Sequence, residues 1–239
     1  MSNSEKIKDT KVFALLMFGG IGSRFGWEKP KQFYKISNRT IVEYLVDKFV
    51  NLELFDRIVV VSPEKYIEET KKELENFKDK VYIIPGGDTR EHSVWNGVSF
   101  LGTFAKEDDI VLIHDGARPL VSKEIISHNI EYAKKFGAVV TAINATDTVG
   151  YSEDGVKIDE IVPRSKIFLH QTPQTFKHKI IKSSMESEIE NLHLFSDDAS
   201  IVLANGYEIY YVQGSRLNFK ITSQEDIALV KLFIENRIY

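Results

Sequence analysis

The segment with the most evident chemistry is Gly19-Gly20-Ile21-Gly22-Ser23-Arg24-Phe25-Gly26, followed closely by Lys29-Pro30-Lys31-Gln32. Glycines let backbone N–H groups approach phosphate oxygens with no Cβ in the way, and oriented amides favour anions. Arg24 and Lys31 add positive charge against a triphosphate. The loop lacks the Gly-Lys-Ser/Thr of a Walker A element, and its last glycine falls one position late for a dinucleotide fingerprint. Alone, such a turn is as readily structural as functional. Glycines joined to two basic residues after a first strand make a stronger case for a nucleoside triphosphate.

Two further clusters have suitable residue types. In His114-Asp115-Gly116-Ala117-Arg118-Pro119 an aspartate closes an apolar run. Asp115 can hold Mg²⁺ or substrate hydroxyls, and Arg118 can meet a phosphate or brace the loop. His114 reads better as a satisfied core histidine. Gly86-Gly87-Asp88-Thr89-Arg90-Glu91-His92-Ser93 is a glycine turn entering a helix. Its backbone, Asp88 or Ser93 can read a base edge, and a simple capped turn explains it equally well. Lys220 precedes the last helix; Thr148 and Arg164 flank a hairpin, unremarkable in isolation. The histidines at 92, 128, 170, 178 and 193 show no metal-ligand spacing.

These clusters need a scaffold. The chain has 239 residues, 43% hydrophobic and 28% charged, which suits a globular α/β domain. A formal charge of −4 argues against a general nucleic-acid binder, so the basic residues act locally. With no cysteine there are no disulfides and no thiol chemistry. No apolar run reaches the length of a membrane helix, the N-terminal residues lack a signal-peptide core, and a cytoplasmic protein is expected.

Strands are expected at 12–18, 57–62, 81–84, 109–113 and 138–143, alternating with helices at 41–50, 64–77, 91–101 and 122–136. That alternation implies a Rossmann-like, mostly parallel sheet with helices on both faces. Ligands then bind beyond the carboxyl ends of the strands, where the three clusters fall. The pattern breaks over 144–176. Strands at 145–151 and 156–163 around a Ser152-Glu153-Asp154-Gly155 turn read as an inserted β-hairpin arm, either a dimer contact or a solvated hairpin. Helices at 177–190 and 197–205, a strand at 208–212 and a helix at 223–236 complete the chain. The organisation expected is a disordered lead over 1–10 and one domain over 11–239, with the arm at about 144–166.

Together the motifs resemble the cytidylyltransferases of the 2-C-methyl-D-erythritol 4-phosphate and ribitol 5-phosphate group. The resemblance runs from about Lys11 to the end. Gly19-Gly-Ile-Gly-Ser-Arg24 with Pro30-Lys31-Gln32 resembles the CTP loop, and Gly86-Gly-Asp-Thr-Arg90 with Ser93-Val94 the cytosine-reading turn. His114-Asp-Gly-Ala-Arg-Pro119, Thr172-Pro-Gln174 and Asn218-Phe-Lys220-Ile-Thr222 complete the ordered set. The resemblance implies that an acceptor phosphate oxygen attacks the α-phosphorus of CTP and expels pyrophosphate, with Mg²⁺ bridging CTP oxygens. It implies Arg24, Lys31 and Lys220 as catalytic charges, and Gly19, Gly20, Gly22, Gly87, Asp88 and Ser93 as CTP-binding residues. It places Asp115, Arg118, Thr148 and Arg164 at the acceptor, Asp115 also as a metal ligand, and Arg164 reaching in from the partner of a homodimer formed through the arm.

On the acceptor the residues divide. Ala117 and Ser93-Val-Trp-Asn-Gly97 look like methylerythritol enzymes, since ribitol enzymes usually carry Val at the Ala117 position. Ala145-Thr146 and Gly150, where methylerythritol enzymes often place basic residues, lean the other way, as do Gly19 and Gln171-Thr-Pro-Gln174. Methylerythritol phosphate is the expected acceptor and ribitol 5-phosphate the alternative. Phe18 departs from both groups, which place a small residue there. A silent nucleotide-binding domain is the rival from another class; retention of Arg24, Lys31, Asp115 and Lys220 argues against it.

Overall fold

The computed structural model describes residues 10–19, 30–236 and 238. The expected lead, apart from Thr10, and the expectations for Gly20, Gly22 and Arg24 lie outside the described residues. In chain order the main elements are β1 (Val12–Met17), β2 (Lys35–Ile36), β3 (Arg39–Thr40), α1 (Ile41–Asn51), β4 (Arg57–Ser62), α2 (Ile67–Glu73), β5 (Val81–Pro85) and α3 (Arg90–Leu101). They continue with β6 (Ile110–Asp115), α4 (Lys123–Phe136), β7 (Ala138–Asn144), β8 (Val149–Tyr151), β9 (Glu160–Val162) and β10 (Phe168–Lys177). The last four are α5 (His178–Ser187), α6 (Asp198–Ala204), β11 (Tyr210–Gln213) and α7 (Gln224–Glu235).

Seven strands form one sheet in the order β11-β7-β10-β6-β1-β4-β5. All its pairings are parallel except those of β10, which runs antiparallel to both β6 and β7. The sheet is therefore mixed and mostly parallel, with helices on both faces. Alternate residues of β1 sort between the faces. Val12, Ala14, Leu16 and Phe18 pack with α1 and α4, while Phe13, Leu15 and Met17 pack with α3, α5 and α6. Both sides of this strand are buried, which accounts for its unbroken apolar run. A third cluster joins Ile36, Ile41, Leu120, Ile221, Ile227 and Val230, seating α7 beside the ends of the central strands.

The helices start and stop for local reasons. Thr40, Ser122 and Ser223 accept hydrogen bonds from the backbone N–H groups of Glu43, Ile125 and Asp226, capping α1, α4 and α7. Gly137, at φ +93°, ends α4 in a conformation that a side chain would oppose.

Three expectations change. The helix expected over 64–77 is broken into a 3₁₀ turn, the short α2 and a second 3₁₀ turn. The hairpin pairs only Val149–Tyr151 with Glu160–Val162, around a longer loop in which Asp154 Oδ1 accepts from Val156 N at 2.9 Å and Lys157 N at 3.1 Å. The ten-residue strand β10 carries no apolar alternation in its centre. Gln171, Thr172, Gln174 and Thr175 are buried by side-chain hydrogen bonds, and Pro173 interrupts a pattern that otherwise reads as strand. Its ladder with β7 shifts register between His170 and Gln174.

Candidate active site

The site is built where β1, β5 and β6 end. Asp115 is the last residue of β6, 6% exposed. Its Oδ2 accepts from Lys220 Nζ at 2.8 Å, and Arg118 Nε lies 3.8 Å from the same oxygen. Its Oδ1 faces Arg90 Nε at 3.4 Å. Burial alone would raise this carboxyl's pKa, but the charges of Arg90, Lys220 and Arg118 outweigh it and hold the group well below the usual carboxylate range. Asp115 is thus an anion, fixed among three cations.

Each cation has its own anchor. Arg118 Nη1 donates to the Asn218 carbonyl at 2.7 Å. Ile221 N donates to Ala117 O at 2.8 Å, so the segment bearing Lys220 is laced to the loop bearing Arg118. Lys31 Nζ donates to the Ile221 carbonyl at 2.8 Å, which brings Lys31 beside Lys220 although 189 positions separate them. Asn218 is fully buried and donates through Nδ2 to Thr172 O at 2.8 Å and to Gln171 Oε1 at 3.2 Å.

Arg90 was not expected among the charged groups of the site. Its two Nη atoms grip Asp198 at 2.9 and 2.8 Å, a bidentate fork on a carboxylate with no exposure. Arg90 is visible in the Gly-Gly-Asp-Thr-Arg phrase, and Asp197-Asp198 before a helix is an acidic pair. Nothing in local sequence shows that they meet, because 108 positions separate the partners. Thr172 likewise had no expected role: Asp115 N donates to its Oγ1 at 3.0 Å.

His114 is a structural residue. Its Nε2 meets the Arg118 carbonyl at 3.0 Å and its Nδ1 meets Thr172 Oγ1 at 3.1 Å. A carbonyl can only accept, so Nε2 carries the proton and Nδ1 accepts from the threonine hydroxyl. Complete burial lowers the imidazole pKa to about 4, keeping it neutral.

The glycine turns come together beside this cluster. Ser93, 1% exposed, donates to Thr89 O at 2.8 Å and accepts from Gly87 N at 3.0 Å, closing the turn after β5. A Cβ at Gly19 would stand 2.9 Å from Ser93 Oγ, so the end of β1 and this turn touch only because residue 19 is glycine. Gly87 and Asp88 remain exposed, free to face a ligand. Phe18 is explained by packing. It is 4% exposed, and its ring occupies the place where Gly116 would carry a Cβ, so it closes the core beneath the Asp115 loop.

Thr148 and Arg164 are placed elsewhere. Both are exposed, and Arg164 Nη1 donates to the Thr146 carbonyl at 2.8 Å at the base of the arm. One chain therefore gathers Gly19, Lys31, Gly87, Asp88, Ser93, Asp115, Arg118 and Lys220, but leaves the arm residues apart.

The family model described as IspD, 2-C-methyl-D-erythritol 4-phosphate cytidylyltransferase, matches residues 12–236. The chain belongs to this family. It is 45% identical over 219 residues to the 2-C-methyl-D-erythritol 4-phosphate cytidylyltransferase of Thermosipho africanus, covering 92% of this chain and 96% of the relative. The enzyme of that name from Thermosipho melanesiensis is 46% identical over 218 residues, covering 91% and 95%. Among solved structures, the 4-diphosphocytidyl-2C-methyl-D-erythritol synthase of Anaerococcus prevotii matches with a TM-score of 0.83 at 26% identity, over 98% of this chain and all of that one. The methylerythritol side of the expectation is the one these relatives support, and the ribitol alternative is not favoured.

The described residues contain no group of three or more His, Cys, Asp or Glu side chains placed to hold a metal ion. Asp115, the expected ligand, has both oxygens engaged by cations, so a divalent ion there would meet repulsion from Lys220, Arg90 and Arg118. No helix among the described residues is long and apolar enough to cross a membrane.

Proposed function

We propose that this chain transfers CMP from CTP to 2-C-methyl-D-erythritol 4-phosphate, releasing pyrophosphate for isoprenoid precursor synthesis. The carrying observation is the convergence of Lys220 and Arg118 on the buried Asp115 anion, with Lys31 tied to the Ile221 carbonyl next to Lys220, beside the Gly19–Ser93 contact. An acceptor phosphate oxygen attacks the α-phosphorus of CTP; a new P–O bond forms and the bond to the β-phosphate oxygen breaks. Charge builds on the non-bridging α-phosphate oxygens and on the departing pyrophosphate. Fixed cations stabilise that charge with little reorganisation, which is the main requirement of such transfers.

Lys31, together with Arg24, is assigned to that charge. Lys220, held on Asp115 Oδ2 at 2.8 Å, is assigned to the phosphates. Gly87 and Asp88 face cytosine on a turn that the buried Ser93 hydroxyl holds in shape, with Gly19, Gly20 and Gly22 assigned to the CTP loop. Mg²⁺ would accompany the triphosphate as part of the substrate and offset its charge, since Asp115 is already engaged by cations.

The arm is read as the contact of a homodimer. Val156 is 90% exposed, Ile158 72% and Ile161 55%, an apolar set that one chain leaves uncovered. Thr148 and Arg164 on that arm would then serve the acceptor phosphate of the partner's site, where arginine's fork suits phosphate. The absence of cysteine fits a cytoplasmic setting. The test is pyrophosphate release from CTP, UTP and ATP with methylerythritol phosphate present. Release from CTP alone is expected; equal release from UTP or ATP, or none from any nucleotide, would refute the assignment.

A further inference from the structure

Asp115 must be held in one orientation for Lys220 to be held at all, and the carboxylate can rotate about its last bond unless its second oxygen is fixed. That second oxygen faces Arg90 Nε at 3.4 Å. Arg90 cannot swing away. Its fork is bound at 2.9 and 2.8 Å to Asp198, which is completely buried. Asp198 is fixed in turn by its place at the start of α6. Asp197 Oδ1 accepts from Ser200 N at 2.8 Å, while Gln174 of β10 accepts from Ala199 N at 2.8 Å and donates to Asp197 Oδ2 at 2.8 Å. A rigid path thus runs from β10 and α6 through Asp198 and Arg90 to Asp115.

We propose that the Arg90–Asp198 pair is a positioning device that fixes Asp115 so that its Oδ2 holds the Lys220 ammonium ready for the phosphates. This rests on the cytidylyl-transfer reading for its consequence, though not for its geometry. The pair's charges cancel, so it adds direction without adding charge. Asp115 then faces Lys220 and Arg118 as one anion against two cations, leaving a net positive site for a triphosphate. A lysine at position 90 would keep the charge but not the fork, since an ammonium is a point charge without the planar pair of donors.

The test is the double variant Arg90→Gln with Asp198→Asn in the full chain, which removes both charges together and leaves no buried charge unpaired. Loss of fixed geometry is expected to lower kcat by about tenfold to a hundredfold, with KM for CTP within about threefold of the parent. Placed in a Lys220→Ala background, the same double change should cause little further loss, because it acts through Lys220. Arg90→Lys, a milder change if the double variant does not fold, should lower kcat in the same direction by a smaller factor. Unchanged kcat, or losses that multiply with Lys220→Ala, would overturn the proposal.

A second readout needs no turnover. The ¹⁵N–¹H signal of the Lys220 ammonium in ligand-free protein should be sharp in the parent and lost or broadened in the variants. Retention of that signal would also overturn the proposal. If the parent itself turned over no CTP, the enzymatic reading would fail while this signal still decided the role of the pair.

Discussion

The end of β6 and the arm at Val149–Val162 are both polar interruptions of an apolar α/β core, yet they are completed in opposite ways. Around Asp115 every charged group has a partner within the chain, and the partners come from β6, α3, α6 and the segment before α7. On the arm the charges lie in solvent and the apolar side chains do too, with Val156 and Ile158 mostly uncovered. The first region is preorganised by one chain; the second presents a surface that one chain does not satisfy. The difference separates a charged cluster completed within one chain from an arm whose apolar side chains stay exposed, which is the ground for proposing a second protomer there.

The most damaging way to break the first region is Asp115→Asn. It leaves Lys220, Arg90 and Arg118 without their common anion, and a buried ion pair broken on one side costs about 3 to 5 kcal/mol. Urea unfolding should show that loss together with collapse of turnover; a stability change under about 1 kcal/mol would contradict the packing described, by the scale of ordinary surface substitutions.

His114 sharpens the same point through pH. Its folded pKa is lowered to about 4 from 6.5, so the unfolded chain binds the extra proton first as pH falls. Its contribution is therefore complete above pH 6.5 and lost progressively down to about pH 4, by at most about 3.5 kcal/mol at roughly 1.4 kcal/mol per pKa unit. Asp115, with its depressed pKa, keeps its contribution through that window and gives it up at lower pH. Denaturant titrations across pH 4–7 should show the slope in the parent and a flatter one in His114→Asn. Equal slopes would mean that the histidine is not buried neutral.

Lys31→Ala tests catalysis rather than folding. Loss of one transition-state charge donor should lower turnover about a hundredfold; turnover near the parent's would remove Lys31 from the mechanism. On the arm, Arg164→Ala should chiefly raise KM for the acceptor, by about tenfold if one charge-assisted phosphate contact is lost. Mixing it with Lys31→Ala should restore part of the activity in hybrid dimers, and failure to restore any would confine Arg164 to its own protomer. The smallest thermodynamic effect is expected for Ile158→Asp, within about 0.5 kcal/mol for the single chain because the side chain is already exposed. Sedimentation should nonetheless show dimers giving way to monomers; an unchanged oligomeric state would leave the arm without its proposed partner.

The sheet was largely legible from the sequence because β1, β4, β5, β6 and β7 are short apolar runs separated by helical periods. Strand β10 was not. Its centre is buried by hydrogen bonds, with Thr172 serving both Asp115 N and His114 Nδ1, and such pairing leaves no hydrophobic period to detect. The site shows the same division. Glycine turns and strand-end charges announce themselves locally, so Gly19, Lys31, Ser93, Asp115 and Arg118 could be singled out. Arg90 and Asp198 could not be joined, because an ion pair between distant segments has no spacing rule. Phe18 appeared anomalous for the converse reason: its partner, Gly116, is marked by a missing side chain.

The most direct measurement of the central claim is a competition assay. CTP is supplied with equal methylerythritol 4-phosphate and ribitol 5-phosphate, and the products are resolved by ³¹P NMR. The cytidine diphosphate ester of methylerythritol is expected to form, with pyrophosphate in equal amount. A product made chiefly from ribitol 5-phosphate, or CTP left intact with both acceptors, would contradict that claim.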